Sequence, residues 1–401
     1  MPGPLEGIRV VEIGVWVAGP AAGCVLADWG ADVVKIEPPG IGDPARTFSR
    51  MLGADLPSNP IFENDNRSKR SIALDLASDA GREIAHELVA RADVFVTNVR
   101  MAGLARLGLD PKGLLARHPR LVYGAISGYG FTGPDADRAA YDIAGFWARS
   151  GIAASLTSRG QHPPFQRGGM GDHNAGLALA GGISAALFRR ERSGEGQLVM
   201  TSLLREGLYT ISFDLSVAVR FGVGIQVADR ATMGNPCINN YRDSEGKWFW
   251  LVGLEGERHW PPLARAAGHP EWIDDPRFAG PAQRAANARA LIAELDAVFA
   301  TKTRDEWGRI FDAERELWWA PVQSVDEVLQ DPQVHAAGGF VEVPDGESTT
   351  LLPATPVDFA GTPSAPRAMA PALGEHSDAI LAELGRSAAQ IAALRDRKVV
   401  A

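Results

Sequence analysis

Cysteine is almost missing from this sequence. Cys24 and Cys237 are the only two in 401 residues, and they stand in unrelated contexts. That excludes a disulfide framework and leads us to expect a reducing, cytoplasmic compartment. Positive charge is also in short supply: 40 Lys and Arg against 49 Asp and Glu leave a net charge of −9 without a polybasic run. Nucleic acid and anionic membrane are therefore not expected partners. An anionic small ligand stays open, because screening over roughly 8 Å lets a local basic patch act on its own. Long apolar runs are missing too. The longest uncharged apolar stretch, 175–188, suits a buried helix and falls short of the ~20 residues that span a bilayer. The opening MPGPLEGIRVVEIG has no basic segment followed by an apolar run, so no secretory signal is expected.

Several catalytic signatures are lacking as well. The eight histidines (86, 118, 162, 173, 259, 269, 335 and 376) form no i, i+4 pair and have no partner cysteines, so no metal site is expected. No G-x-S-x-G elbow occurs, which removes the usual serine hydrolase signature. The first strand–helix turn, GVWVAGPAAG, carries Gly14, Gly19 and Gly23, but not at the G-x-G-x-x-G spacing of a dinucleotide fingerprint.

What is present is alternation. IRVVEIG, ADVVKIE, RSIALDL, DVFVTNV and LVYGAIS read as short strands, separated by helix-like AGPAAGCVLADWG, DAGREIAHELVARA and PKGLLARH. Strands and helices of this length predict right-handed crossovers and a doubly wound parallel sheet in an α/β domain. Residues 203–227 read as one long helix followed by a linker. Beyond Arg242 the character changes to a hairpin (DSEGKWFWLVGLEGERHW) and two helices (NARALIAELDAVFATKTRDEWGRIFDA) of a smaller α+β domain. The tail from Pro321 is proline-punctuated until a helix starts at GEHSDAIL. We expect a large domain from 1–222, a small one from 223–320, and a return segment, 321–401, that completes the large one.

Glu37, at the end of the second strand, reads as a solvated strand-end acid. Arg67, Lys69 and Arg70 in NDNRSKRS could be an exposed loop or a phosphate site. Arg100 and Arg106 follow the fourth strand, where basic groups meet phosphates. The stretch RGGMGDHNAGLALAGG is the most pointed. Asp172 sits among Gly168, Gly169 and Gly171 just before an apolar helix. A plain N-cap would account for the acid. It would not call for the glycines, whose N–H groups can face a developing oxyanion and whose missing side chains admit a bulky substrate. A carboxylate at a positive helix end is expected to be held ionised, which is the attacking form.

The chain resembles the family III CoA transferases, the group of formyl-CoA transferase and of the carnitine and bile-acid CoA transferases. The resemblance rests on PLEGIRVVEIG, AGP, LADWGADVVKIE, KRSIALDL, GYGFTGPDADRAAYD, GGMGDHNAG, RRERSGEGQLV, HPEWIDDPRF and PALGEHSDAIL, in this order along nearly the whole chain. It implies that Asp172 is a nucleophile that takes the acyl group from a CoA thioester as an anhydride, then takes the CoA as an aspartyl thioester. It implies CoA contacts at Val17 and Ala18, at Leu74 beside the adenine, at Asn98, Val99, Arg100 and Arg106 near the phosphates, and at Tyr141 and Asp142 near the thioester. It also implies a Rossmann-like large domain, two interlocked chains in a homodimer, CoA as substrate and product, and no tightly bound cofactor. Pro38 and Ala139 stand where formyl-CoA transferase has basic residues, so Arg138 is a candidate to assist with the phosphates.

Two rivals share the resemblance. The α-methylacyl-CoA racemases place a histidine where this chain has Tyr141, and a phenol is a poor base near neutral pH. His173 is the other candidate for a base, but it follows Asp172 directly and is expected to point elsewhere. A non-catalytic CoA binder would have no use for a nucleophile in a glycine loop. Phe146 and Trp147 could line an acyl pocket or belong to the core.

Overall fold

β1 (Arg9–Ile13) pairs in parallel with both β2 (Asp32–Glu37) and β4 (Val94–Thr97). With β3 (Arg70–Ala73), β5 (Val122–Ser127) and β6 (Leu198–Ser202), the sheet runs β3-β2-β1-β4-β5-β6, every pairing parallel. This is the doubly wound order, in which the direction of winding reverses between β1 and β4. The computed structural model describes residues 3–48, 56, 58–224, 227 and 229–401.

Runs such as RVVEI, DVVKIE and VFVT make strands because β-branched residues fit a pleated surface that is covered on both sides. Successive residues point to opposite faces. Val10, Val33, Val94 and Val122 join one core with α1 (Ala18–Asp28) and the long helix Met170–Ser193. Val11, Val34, Phe95 and Tyr123 join the other, with the helix Asp79–Ala90 and the distant Ile380, Leu381, Ile391 and Val399. An antiparallel bridge from Leu74 to Val400 ties the chain's last residues to the end of β3.

By contacts the chain divides into two compact units. One comprises Met1–Leu156, Pro163–Ile225 and Ala337–Ala401; the other comprises Thr157–His162 and Gln226–Ala336. Ile225, Gln226 and Ala228, in the expected linker, lie outside the described residues. In the second unit, β7 (Ile238–Arg242), β8 (Trp248–Val252) and β9 (Trp319–Pro321) form an antiparallel sheet. Its core includes Phe249, Trp260, Phe299 and Trp307. This unit runs past the expected end at 320. β9 completes its sheet, and the nearly buried Arg304 pairs with Glu327 beyond it.

Two other expectations need correction. Residues 203–221 form two helices, Leu203–Thr210 and Ser212–Phe221, broken at Ile211; the first is capped by Ser202. The proline-punctuated tail contains a hairpin, β10 (Phe340–Asp345) with β11 (Ser348–Pro353). Pro344 and Pro353 mask its alternation in sequence, yet the hairpin stands alone as a two-stranded sheet, so both of its strands are edges, where proline is tolerated. No described helix is long and apolar enough to cross a membrane.

Candidate active site

α1 follows β1 and the long helix precedes β6, so in a parallel sheet both helices begin at its carboxyl edge. They also touch. Gly176 of the long helix lies so close to α1 that a Cβ there would be 2.8 Å from Ala21 Cβ and 3.1 Å from the Ala18 carbonyl. Asp172 is one helical turn earlier, on the same face as Gly176. The start of α1, with Val17 as its N-cap residue and Ala18 as its first, therefore neighbours the mouth of the helix that carries Asp172.

Asp172 is not the N-cap. Gly169 occupies that position with φ 80°, leaving Asp172 third in the helix. The missing cap comes from elsewhere: Gly171 donates its N–H to Asp142 Oδ2 at 3.1 Å. Gly171 has to be glycine, since a Cβ would sit 2.2 Å from Phe146 Cγ and 2.4 Å from Asp142 Oδ1. Its N–H is thereby committed to Asp142, which overturns the expectation that it faces an oxyanion. Asp142 itself is buried, with Oδ1 lacking a hydrogen-bond partner in the described structure. Phe146 and Trp147, in a π-helical turn (Ile143–Ala148), belong to the core. Around the Cβ position of Gly168 there is open space.

The Asp172 carboxyl is partly buried, and among the described residues it has neither an ion pair nor a side-chain hydrogen bond. Its pKa is pushed up to about 7, first by burial, then by Asp142, with Asp65 adding and His173 opposing. The expectation that the helix end holds it ionised is therefore met only in part, because a carboxyl with a pKa of about 7 is close to half ionised at neutral pH. A rise of that size is roughly 4 kcal/mol, more than the ~0.3–2 kcal/mol a helix terminus supplies. His173 does not point away from the site altogether. Its ring packs beside Gly169, and Nε2 meets Asp65 Oδ1 at 2.9 Å. Asp65 is a buried residue of α2 (Pro60–Asn66), and this bond raises the imidazole pKa. Asp65 escaped the sequence reading because nothing local relates it to a residue 108 positions away.

The turn ahead of α1 is held by two side chains. Asn98 clasps Val15, accepting its N–H at 2.9 Å and donating to its carbonyl at 2.7 Å. The Asn98 amide is thus engaged by backbone rather than free for a phosphate. Trp16 donates its N–H to Asp43 Oδ1 at 2.9 Å. Beneath lies a fully buried network in which Lys35 pairs with Glu12 at 2.8 Å and Asp43 at 2.9 Å, and Lys69 pairs with Glu12 at 2.8 Å. Burial lowers the Lys69 pKa. Arg67 binds Asp28 at 2.7 Å, and Arg70 reaches Asp32 and Glu383. The three cations of NDNRSKRS form neither an exposed loop nor a phosphate site, because each is tied to acids of other elements. Glu37 is buried as well, bonded by Arg46 and Ser71, so it is not a solvated acid.

A cavity of about 310 Å³ opens at the carboxyl ends of β1, β2 and β3, lined among others by Ile13, Gly14, Ile36, Pro38, Leu74 and Val99. Leu74 and Val99 thus share one wall. Arg100 and Arg106, at the two ends of the helix region Met101–Arg106, are exposed, and neither pairs with an acid among the described residues. Arg138 lies with a different group, 3.7 Å from Asp135 and above the Tyr129 ring. Tyr141 is exposed and meets Trp16 edge-on. Among the described residues no group of three or more His, Cys, Asp and Glu side chains is arranged to hold a metal ion.

A doubly wound α/β unit with an unpartnered acid at its carboxyl edge defines a class of ligand-binding and enzymatic folds. The profile of CoA-transferase family III matches residues 5–377. The (R)-2-hydroxy-4-methylpentanoate CoA-transferase of Clostridioides difficile is 31% identical, over 99% of either chain. The cinnamoyl-CoA:phenyllactate CoA-transferase of Clostridium sporogenes is also 31% identical, over 98% of this chain and 96% of its own. A CAIB/BAIF family protein from Brucella suis has a crystal structure that superimposes with a TM-score of 0.84 at 32% identity, covering 96% of this chain and all of that one. The chain belongs to CoA-transferase family III, and it is an enzyme of the CoA-transferase type.

Proposed function

We propose that the protein moves CoA from an acyl-CoA thioester to a free carboxylic acid, with Asp172 as the nucleophile. The observation that carries this is the Asp172 carboxyl itself, which is only partly buried and, among the described residues, has neither an ion pair nor a side-chain hydrogen bond, whereas the neighbouring Asp65 is engaged by His173. The Asp172 carboxylate attacks the thioester carbonyl; the C–O bond forms, the C–S bond breaks, and CoA leaves as thiolate. The thiolate attacks the aspartyl carbonyl of the anhydride, giving an aspartyl-CoA thioester and the first acid as its carboxylate. An incoming carboxylate repeats these two steps in reverse. Thioester is exchanged for thioester, so the cycle is close to thermoneutral and needs no nucleoside triphosphate.

The nucleotide end of CoA is assigned to the cavity walled by Leu74 and Val99, and its phosphates to Arg100 and Arg106, whose charges are unspent. Val17 and Ala18, at the start of α1, take the pantetheine, and Tyr141 the thioester end. Asp142 acts through Gly171, and Arg138, exposed and only 3.7 Å from Asp135 in a surface pair, assists with the phosphates. We assign the protein to a homodimer of interlocked chains in the cytoplasm. The helix Ser212–Phe221 supports a partner, since it buries none of its residues while exposing Phe213, Val219 and Phe221.

Incubation with an acyl-CoA, followed by hydroxylamine or borohydride, should leave a modification at Asp172 that Asp172→Ala abolishes. Full CoA exchange by Asp172→Ala overturns the proposal. Exchange of the α-proton without acyl transfer would instead make the protein a racemase.

A further inference from the structure

Trp16 has a left-handed backbone, φ 65°, which a bulky residue adopts only when its surroundings impose it. Those surroundings are specific. Its N–H is held by Asp43, which is itself anchored by the fully buried Lys35, and Asn98 fixes both polar groups of the preceding residue. A conformation costing ~1–3 kcal/mol is thus maintained from two sides. What it displays is an indole that is only partly buried. The ring meets Tyr141 edge-on at 5.7 Å and 88°, and Phe48 edge-on at 6.1 Å. Tyr141 is 63% exposed.

Both rings adjoin supports of the Asp172 helix. Tyr141 precedes Asp142, which bonds Gly171. Trp16 lies two residues before Ala18, whose carbonyl is 3.1 Å from the Cβ position of Gly176, one turn after Asp172. Asp142, bonded to the Gly171 N–H, and Asp65, bonded to the His173 ring, set two carboxylates beside Asp172 against one histidine. This balance disfavours a second carboxylate on the substrate and suits an apolar one.

We propose that Trp16 and Tyr141 wall a side-chain subsite beside Asp172 that selects monocarboxylic acids bearing an aromatic or branched aliphatic group. The proposal rests on the transferase reading above and gives it a substrate class. An aromatic substituent adds an edge-to-face contact to a pair already in that geometry.

The test compares kcat/KM for 3-phenylpropanoyl-CoA and 4-methylpentanoyl-CoA with that for succinyl-CoA, as donors to a common acid acceptor. The wild type should prefer the first two. Trp16→Gly removes the ring at a backbone conformation that glycine adopts freely, and it should cut the ratio of phenylpropanoyl to succinyl turnover by at least about tenfold. Trp16→Phe should keep most of the ratio, and Tyr141→Leu should lower it. Should the glycine variant lose turnover altogether, the Trp16→Phe and Tyr141→Leu ratios decide. Because each ratio is internal to one variant, partial misfolding cancels. A wild type that prefers succinyl-CoA, or ratios unmoved by these variants, overturns the subsite while leaving the Asp172 mechanism standing. Activity of Asp172→Ala with every donor overturns the mechanism instead.

Discussion

Asp142 accepts the Gly171 N–H at 3.1 Å through Oδ2, while its other oxygen is buried without a partner next to the residue that precedes Asp172. One carboxylate therefore caps the helix and repels the acid displayed at its mouth. Asp142→Asn can keep the cap through its amide oxygen while removing the charge. Since Asp142 is the second cause of the raised Asp172 pKa, the variant should form the acyl-aspartyl species at lower pH than the wild type. A pH profile of single-turnover labelling checks this, with a downward shift of about one unit expected.

Gly171 tolerates no side chain. In Gly171→Ala the new methyl would lie 2.2 Å from Phe146 Cγ and 2.4 Å from Asp142 Oδ1, so the helix mouth must move. Overpacking of this kind costs ~1–3 kcal/mol, and displacement of the acid should cost more in turnover than in stability. Denaturant unfolding alongside steady-state kinetics separates the two. A variant with wild-type kcat would show that the placement of Asp172 is not critical.

The Asp172 carboxyl also links stability to pH. Its folded-state pKa, about 7 against an ordinary 3.8, means that the folded protein binds more protons than the unfolded chain between those values. The contribution is present below pH 4 and is lost as the pH rises through 7. Asp172→Asn, which cannot ionise, should therefore be more stable than the wild type at pH 8, by on the order of 2 kcal/mol once partial solvent access is allowed for, and no more stable at pH 4. Equal stabilities at pH 8 would mean that the acid is not raised.

Among the described residues His173 is the group whose charge lowers the Asp172 pKa, and Asp65 raises the pKa of His173 through their hydrogen bond. His173→Gln should move the labelling profile to higher pH, the opposite direction from Asp142→Asn. Asp65→Asn should bring the His173 ring titration, followed by NMR, toward the ordinary imidazole value. An unmoved ring titration would dismiss the Asp65 link.

Beneath the first turn, Glu12 is shared by Lys35 and Lys69, all three fully buried. Glu12→Gln leaves two buried ammonium groups with Asp43 as the remaining acid partner. A loss of ~3–5 kcal/mol in urea unfolding is expected, as for other broken buried pairs. A double variant, Glu12→Gln with Lys69→Met, should recover part of it.

Much of the large unit was legible in the chain, because strands buried on both faces read as Val- and Ile-rich runs, the helix Asp79–Ala90 is amphipathic, and α1, buried along its whole length, is almost wholly apolar. The residues of β1 to β5 and α1 stand out for that reason, and Asp172 stands out because three glycines before a helix are costly unless space is needed. The β10–β11 hairpin was hidden by its prolines, and the break at Ile211 by a mostly apolar run without Gly or Pro at that point.

The sequence by itself determined which segments become strands and helices, and it placed one acid in a glycine bend, since local periodicity and backbone freedom are written residue by residue. Only the tertiary structure decided what each charge does. Arg67, Lys69 and Asn98 all looked available to a ligand, but each is bound to a residue far along the chain, and Glu37, read as solvated, is bonded by Arg46 and Ser71. Arg100, Arg106 and Asp172 have no ion pair among the described residues. The protonation of Asp172 was likewise out of reach of its neighbours in sequence, because burial and the acids Asp142 and Asp65, brought in by folding, outweigh the helix end.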